Sequence, residues 1–284
     1  MEKIAVVTDT GSNLSFAQAK ELGIYLLPLQ ITIDETTYQD TLEISTQDIY
    51  NELANGKMPK TSMAAYQKIY DLFEELKKDY DTIFAVPLTN GLSTNASTMQ
   101  SIARELEMNV HVIDMYATCA LEKHVAIWIK KLVDEHKSSE EILKIIQPAI
   151  DESNSLILVK NLQHLKRGGR LTPMAAALAG LLKIYPVLHI NKSTEGRIDV
   201  LNKVRTEKRA DAYAIDKIMD DIDIQHTHIY IIHSNFLEGA DHFKKCFIEK
   251  GVPEENIHIN YISSVIAVHT GLGCIALQYI RKEN

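Results

Sequence analysis

The chain has 284 residues, 45% of them hydrophobic and 24% charged, with a formal charge of −8. These proportions fit a globular protein too long for one small core, so two α/β lobes are expected, at 1–153 and 154–284. The negative balance argues against a general nucleic-acid binder, no apolar run is long enough to span a bilayer, and the scattered cysteines Cys119, Cys246 and Cys274 argue against a disulfide framework or a zinc site.

The first residues lead straight into a strand pattern without a signal-type stretch, so a cytoplasmic location is expected. Residues 4–8 read as a buried strand and 16–22 as a helix behind Ser15, a plausible N-cap. Residues 24–33 read as a second strand, and 48–54 as a helix closed by Gly56 and Pro59. In 65–78, Tyr66, Ile69, Tyr70, Phe73 and Leu76 recur at helical spacing. A strand at 82–86 precedes a helix from near Ser93 to about Leu106, then a strand at 110–113 and a helix at 120–135. Ser139 is the expected cap of a helix running to Ile150. This rhythm predicts a mainly parallel sheet covered by helices.

After a strand at 156–159, Lys166-Arg167-Gly168-Gly169-Arg170 reads as a basic, flexible turn. Residues 174–182 have almost no polar face and are expected as a buried helix, in a pocket wall or at an interface. Strands at 184–190 and 197–204, a helix at 208–219, a strand at 229–233, a helix at 240–250 and a strand at 257–261 follow, with a final helix from about Gly271.

Four stretches carry chemistry. Thr8-Asp9-Thr10-Gly11-Ser12 matches the aspartic-protease triplet, but that chemistry needs a second carboxylate from a second copy, and the chain has none. The stretch reads instead as a turn in which Asp9 and the hydroxyls hold loop amides. Thr89-Asn90-Gly91-Leu92-Ser93-Thr94-Asn95 sets a glycine turn and hydroxyls at a helix start, either an anion site or plain N-capping by Ser93. Lys60-Thr61-Ser62 carries the same two readings. His269-Thr270-Gly271-Leu272-Gly273 is expected at the mouth of the last helix, where His269 can donate to an anion. The loop from Leu165 to Leu171 could grip phosphate through arginine, but it lacks the Gly-Lys-Ser/Thr ending of a nucleotide loop. Asp9, Ser93 and His269 also permit a serine hydrolase, although Ser93 lacks a nucleophile-elbow setting.

The order of these stretches resembles the DegV family. The likeness rests on Thr8-Asp9-Thr10, Lys60-Thr61-Ser62, Leu92-Ser93-Thr94, Val112-Ile113-Asp114, the Gly-Gly-Arg loop, Lys203-Val204-Arg205 and the His-Thr-Gly segment, and it extends over essentially the whole chain. The resemblance implies a two-lobed α/β fold with a fatty acid between the lobes. It also implies a lipid-binding subunit with no catalysis and no cofactor of its own. Such a subunit presents the carboxylate of a long-chain fatty acid to an ATP-dependent fatty-acid kinase partner, and the acyl phosphate feeds phospholipid synthesis. Carried over, Thr61, Ser62, Ser93, Thr94, His269 and Thr270 are the ligand contacts. Arg170, with Arg205 as second choice, faces the partner or the transferring phosphoryl group. Lipid loading implies transient membrane contact. Thr94 stands where the family commonly has glycine, and Met115-Tyr116-Ala117-Thr118-Cys119 lacks the family's usual glycine.

Burying one methylene is worth about 0.8 kcal/mol, so about fifteen offer on the order of 12 kcal/mol before ordering costs. An unpaired carboxylate opposes burial by several kcal/mol. A ring of uncharged donors with one histidine, and no permanent cation beside it, is the expected solution.

Overall fold

A computed structural model describes residues 2–181 and 183–283. The chain opens with β1 (Ile4–Asp9), α1 (Phe16–Leu22), β2 (Tyr25–Leu27), β3 (Gln30–Ile33) and β4 (Thr36–Gln39). Then come α2 (Thr46–Ala54), β5 (Lys60–Ser62), α3 (Tyr66–Leu76), β6 (Thr82–Val86), α4 (Asn95–Glu105) and β7 (Asn109–Val112). Two long helices follow, α5 (Ala120–Asp134) and α6 (Ser139–Glu152). The remainder is β8 (Asn154–Leu158), α7 (Leu162–Arg167), α8 (Pro173–Leu178), β9 (Tyr185–Ile190), β10 (Asp199–Val204) and α9 (Glu207–Asp221). It closes with β11 (Thr227–His233), α10 (Leu237–Glu249), β12 (Ile257–Tyr261), α11 (Ser264–Thr270) and β13 (Ile275–Arg281).

Three sheets result. The order β2-β1-β6-β7 is parallel throughout, as the β-α-β rhythm predicts. β4-β3-β5 is a small antiparallel sheet. The six-stranded sheet β10-β9-β8-β13-β11-β12 is antiparallel except between β11 and β12. Apolar clusters cover both faces of the parallel sheet, and a third lies under α9 and α10. A fourth joins the two halves through Tyr50, Cys119, Leu188, Ile190, Ile198 and Ile262. Tyr50 there donates to the Ile262 carbonyl at 2.7 Å.

Several boundaries differ from expectation for identifiable reasons. The run 24–33 breaks at Pro28, so β2 and β3 enter different sheets. Ser138 rather than Ser139 caps α6, in a capping box with Glu141. The basic segment is split: Lys166 and Arg167 complete the last turn of α7, whose N-cap is Asn161, and Gly168 and Gly169 form the turn that follows. In the apolar segment, Ala175 and Leu178 are buried, but Met174 and Leu181 are 57% and 51% exposed, so it is not a wholly buried helix. Its last residue, Leu182, lies outside the described residues. The final helix ends at Gly271 instead of starting there, and 275–281 is a central strand. No helix among the described residues is long and apolar enough to cross a membrane.

Candidate functional site

The strand ends of the parallel sheet build one wall. β1 ends in Asp9, which is wholly buried. Its Oδ1 accepts from the Gly11 amide at 2.8 Å. Its Oδ2 accepts from the Leu88 amide at 2.9 Å and from Asn95 Nδ2 at 2.7 Å. Asp9 thus ties both ends of the 88–95 turn to β1. Burial pushes its pKa up, and these donors pull it back. Glu122, from α5, is also fully buried beside it. Burial, and then the charge on Asp9, push Glu122 well above the carboxylate range, so the proton of the pair sits on Glu122. Space forces the glycine here: a Cβ on Gly11 would fall 2.7 Å from Asp9 Oδ1 and 3.0 Å from Glu122 Oε2.

Within the turn, the Leu92 and Ser93 amides donate to the Thr89 carbonyl at 3.1 Å. The Asn95 amide donates to Ser93 Oγ at 3.2 Å, leaving the Ser93 hydroxyl proton for another acceptor. Thr94 precedes α4 without capping it; its Oγ1 meets Met63 Sδ at 3.4 Å. The Thr94 amide has no acceptor among the described residues.

β5, α7 and α11 build the opposite wall. Thr61 is held by pairing with Ile31, and its Oγ1 lies 2.7 Å from His269 Nε2. His269 Nδ1 faces Gly168, where a Cβ would approach to 2.7 Å. Burial, reinforced by Arg170 and His164, holds the His269 pKa down at about 3, so the ring is neutral. His164 Nε2 lies 2.9 Å from the Val268 carbonyl and fastens α7 to α11. At the other end of α11, Ser264 donates to Asp40, whose pKa burial pushes up to about 6.

Thr61, Ser62, Ser93, Thr94, Arg170, His269 and Thr270 line one cavity of about 450 Å³. Arg205 is exposed beyond β10 and does not line it. Two expectations change. The His-Thr-Gly segment ends a helix, so the helix dipole at His269 is negative and offers an anion nothing. The lining is also not free of charge, because the Arg170 guanidinium lines the same cavity, with Nη1 donating to the Gly168 carbonyl at 2.7 Å. The hydrolase constellation is not assembled: Asp9 spends both oxygens on Gly11, Leu88 and Asn95, and His269 is held by Thr61. Among the described residues no group of three or more His, Cys, Asp or Glu is arranged to hold a metal ion.

Beside the cavity the two halves meet in a close backbone contact. A Cβ on Gly91 would lie 2.3 Å from the Gly196 carbonyl carbon and oxygen, and one on Gly196 would lie 2.0 Å from Thr89 Oγ1. The turn that carries Ser93 is pressed against the β9–β10 hairpin.

The sequence model of the family described as "Uncharacterised protein, DegV family" matches residues 3–282. The chain belongs to the DegV family. A DegV domain-containing protein of Halalkalibacterium halodurans is 32% identical over 289 residues, covering 99% of this chain and 100% of that one. The crystal structure of a fatty acid binding DegV family protein from Streptococcus agalactiae is 29% identical, with a TM-score of 0.91 over 99% of this chain and 100% of that one. A DegV family protein from Thermus thermophilus, described by its fatty acid binding, is 25% identical with a TM-score of 0.88 and the same coverage. The mixed α/β architecture is thus that of DegV structures.

In this DegV chain, sequence reasoning missed Glu122 and Asp40. Glu122 left a signal: it shares a helix face with Val125 and Ile129, both wholly buried, where a solvated acid does not belong. Asp40 left none, because its partner Ser264 is distant in sequence.

Proposed function

We propose that this DegV protein binds one long-chain fatty acid and presents its carboxylate to an ATP-dependent fatty-acid kinase. The observation that carries the reading is the convergence of Thr61, Ser93, Thr94 and His269 on one cavity whose other walls include Leu29, Leu88, Leu92, Ile198 and Val265. Relatives described as fatty acid binding support the ligand class.

One carboxylate oxygen accepts from the Ser93 hydroxyl and the Thr94 amide. In the Nε2–H tautomer His269 donates to Thr61, which then gives its own proton to the second oxygen. Ser62 and Thr270 complete the polar lining. The acyl chain lies along the apolar side chains that line the cavity, Leu29, Leu88, Leu92, Ile198 and Val265. Burial of about fifteen methylenes contributes on the order of 12 kcal/mol against the cost of fixing the lipid. Arg170 at the mouth faces the phosphoryl group, and Arg205 extends the basic surface toward the partner. The kinase supplies the ATP chemistry, and this chain supplies no catalytic group and requires no cofactor. It acts as a cytoplasmic carrier between membrane and kinase, feeding phospholipid synthesis, with lobes 1–153 and 154–284 as two jaws around the lipid.

Native mass spectrometry after incubation with oleate tests the reading. One bound acid per chain is expected, and a Thr61→Ala/Ser93→Ala double variant that keeps its circular dichroism should lose it. No bound oleate in the wild type, or equal occupancy in the double variant, refutes the head-group assignment. With a bacterial fatty-acid kinase and ATP, Arg170→Ala should retain lipid yet form acyl phosphate at least tenfold more slowly. An unchanged rate removes Arg170 from that role.

A further inference from the structure

A second cavity, of about 590 Å³, lies on the face of the six-stranded sheet covered by α9 and α10. Its floor residues Leu158, Ala210, Phe243 and Ile275 belong to the apolar cluster under those helices, and not to the cluster behind the acid cavity. The rings of Phe236 and Tyr185 add aromatic walls. The size is that of a small-molecule pocket, and the lining is mixed, an apolar floor with polar and charged groups around it.

Its charges are unequal. Glu207, Asp211 and Glu238 face Lys160 and His242 around the opening. Lys160 is ion-paired with Glu207, and its ammonium sits 4.9 Å above the Phe236 ring centroid. Glu238 lies in the first turn of α10, whose N-terminus has no side-chain cap, so the helix end answers its charge. Asp211 is different. It is half-buried and makes no hydrogen bond or ion pair among the described residues. Burial pushes its pKa up, with His242 and Lys160 only partly opposing that shift.

We propose that this cavity binds a small amphipathic amine, with an aromatic-sized apolar body on the floor and one ammonium group against Asp211. An ammonium there forms a charge-assisted pair in a partly desolvated setting, with the Tyr185 ring among the cavity walls. An anion would face the carboxylates of Asp211 and Glu238, which His242, Lys160 and the helix end offset only in part. A neutral ligand would bury Asp211 further without a partner, at a cost. The Lys160–Phe236 contact already places a cation on one wall of this cavity. The inference does not rest on the fatty-acid reading, because the two cavities share no lining residue.

The test compares 4-phenylbutylamine, 4-phenylbutan-1-ol and 4-phenylbutanoate on the full chain, read by the NMR shifts of the Gly239 and Gly273 amides, which line the cavity. Reading those amides separates this cavity from any binding of the acid elsewhere. Saturable binding is expected, with the amine at least tenfold tighter than the alcohol and the acid weakest. Asp211→Asn should erase the preference for the amine and leave the alcohol unchanged. Ala210→Phe, which fills the floor, should abolish binding of all three. Failure of the wild type to saturate with the amine, an acid that binds as tightly as the amine, or full amine affinity in Asp211→Asn overturns the proposal.

Discussion

Replacing Gly91 by Ala tests whether the turn that carries Ser93 is locked against the other half of the molecule. The added Cβ would sit 2.3 Å from the Gly196 carbonyl atoms and 2.5 Å from the Glu195 oxygen, all of them backbone. Carbon atoms settle at about 3.5–4.0 Å, so the turn or the hairpin must withdraw by about 1 Å. Overpacking of this kind costs about 1–3 kcal/mol, which for a chain of this length lowers Tm by roughly 2–6 °C. A Ser93 hydroxyl moved by about 1 Å would also lose the proposed hydrogen bond to the acid. That is worth about 1.5–3 kcal/mol, so oleate should bind roughly ten- to a hundredfold more weakly. Gly56→Ala is the control: its φ of 81° is strained for Ala, yet a Cβ there meets nothing within 4 Å. It should lose stability without losing affinity. Differential scanning calorimetry and oleate titration read both effects. If Gly91→Ala matches wild type in both, the two halves are not held in contact at this point.

Three further outcomes follow from buried groups. Glu122→Gln should cost under about 1 kcal/mol, because Glu122 is already neutral, whereas Asp9→Asn breaks donor–acceptor pairs and should cost about 2–4 kcal/mol; equal losses in urea denaturation refute the proton assignment. Cys119 is at φ 55° and ψ −116°, a conformation natural to glycine, so Cys119→Gly should be about 1 kcal/mol more stable than Cys119→Ala, the reverse of the usual order. His124, His228 and His258 cluster where α5 meets β11 and β12, with His258 Nε2 3.0 Å from His228 Nδ1 and His124 Nδ1 2.9 Å from the Tyr230 hydroxyl. Burial lowers all three pKa values, His124 to about 4. Their contribution is therefore complete above the unfolded value near 6.5 and is lost as pH falls toward 4, with His124 alone accounting for on the order of 3 kcal/mol. His124→Phe should shrink the stability difference between pH 7 and pH 4, and an unchanged difference counts against the cluster.

In the first half β1 and β6 were legible because both are buried along their whole length, and the helices because they are amphipathic, whereas the short, partly exposed β4 and β5 left no such pattern. Ser15, read as a cap, does form a capping box, whereas the helix expected from 48 starts at Thr46 behind Ser45. The sequence failed where tertiary packing overrides local pattern. Residues 275–281 are apolar enough for a helix, but they fill the centre of a sheet whose neighbours lie far away in sequence. Candidate site residues were visible as motifs, yet only three-dimensional structure could bring Thr61 to His269 across 208 positions. It also took structure to show that Arg170 turns into the cavity and Arg205 does not. The glycine-free segment after Asp114 takes positive φ at Tyr116 and Cys119, so the strain falls on side-chain-bearing residues.

The polar end of the cavity is assembled from separate segments, each fixed by an interaction outside the cavity lining. Thr61 depends on pairing with β3, Ser93 on the Asp9 clamp, His269 on the grip of His164, and Arg170 on the Gly168 carbonyl. None of Asp9, His164 or Ile31 lines the cavity. Donors set by a distributed scaffold stay in place when the ligand leaves, because no one loop carries them all. On the proposed fatty-acid reading, binding then needs little local reordering, and the cost of admitting a carboxylate is met mainly while the protein folds.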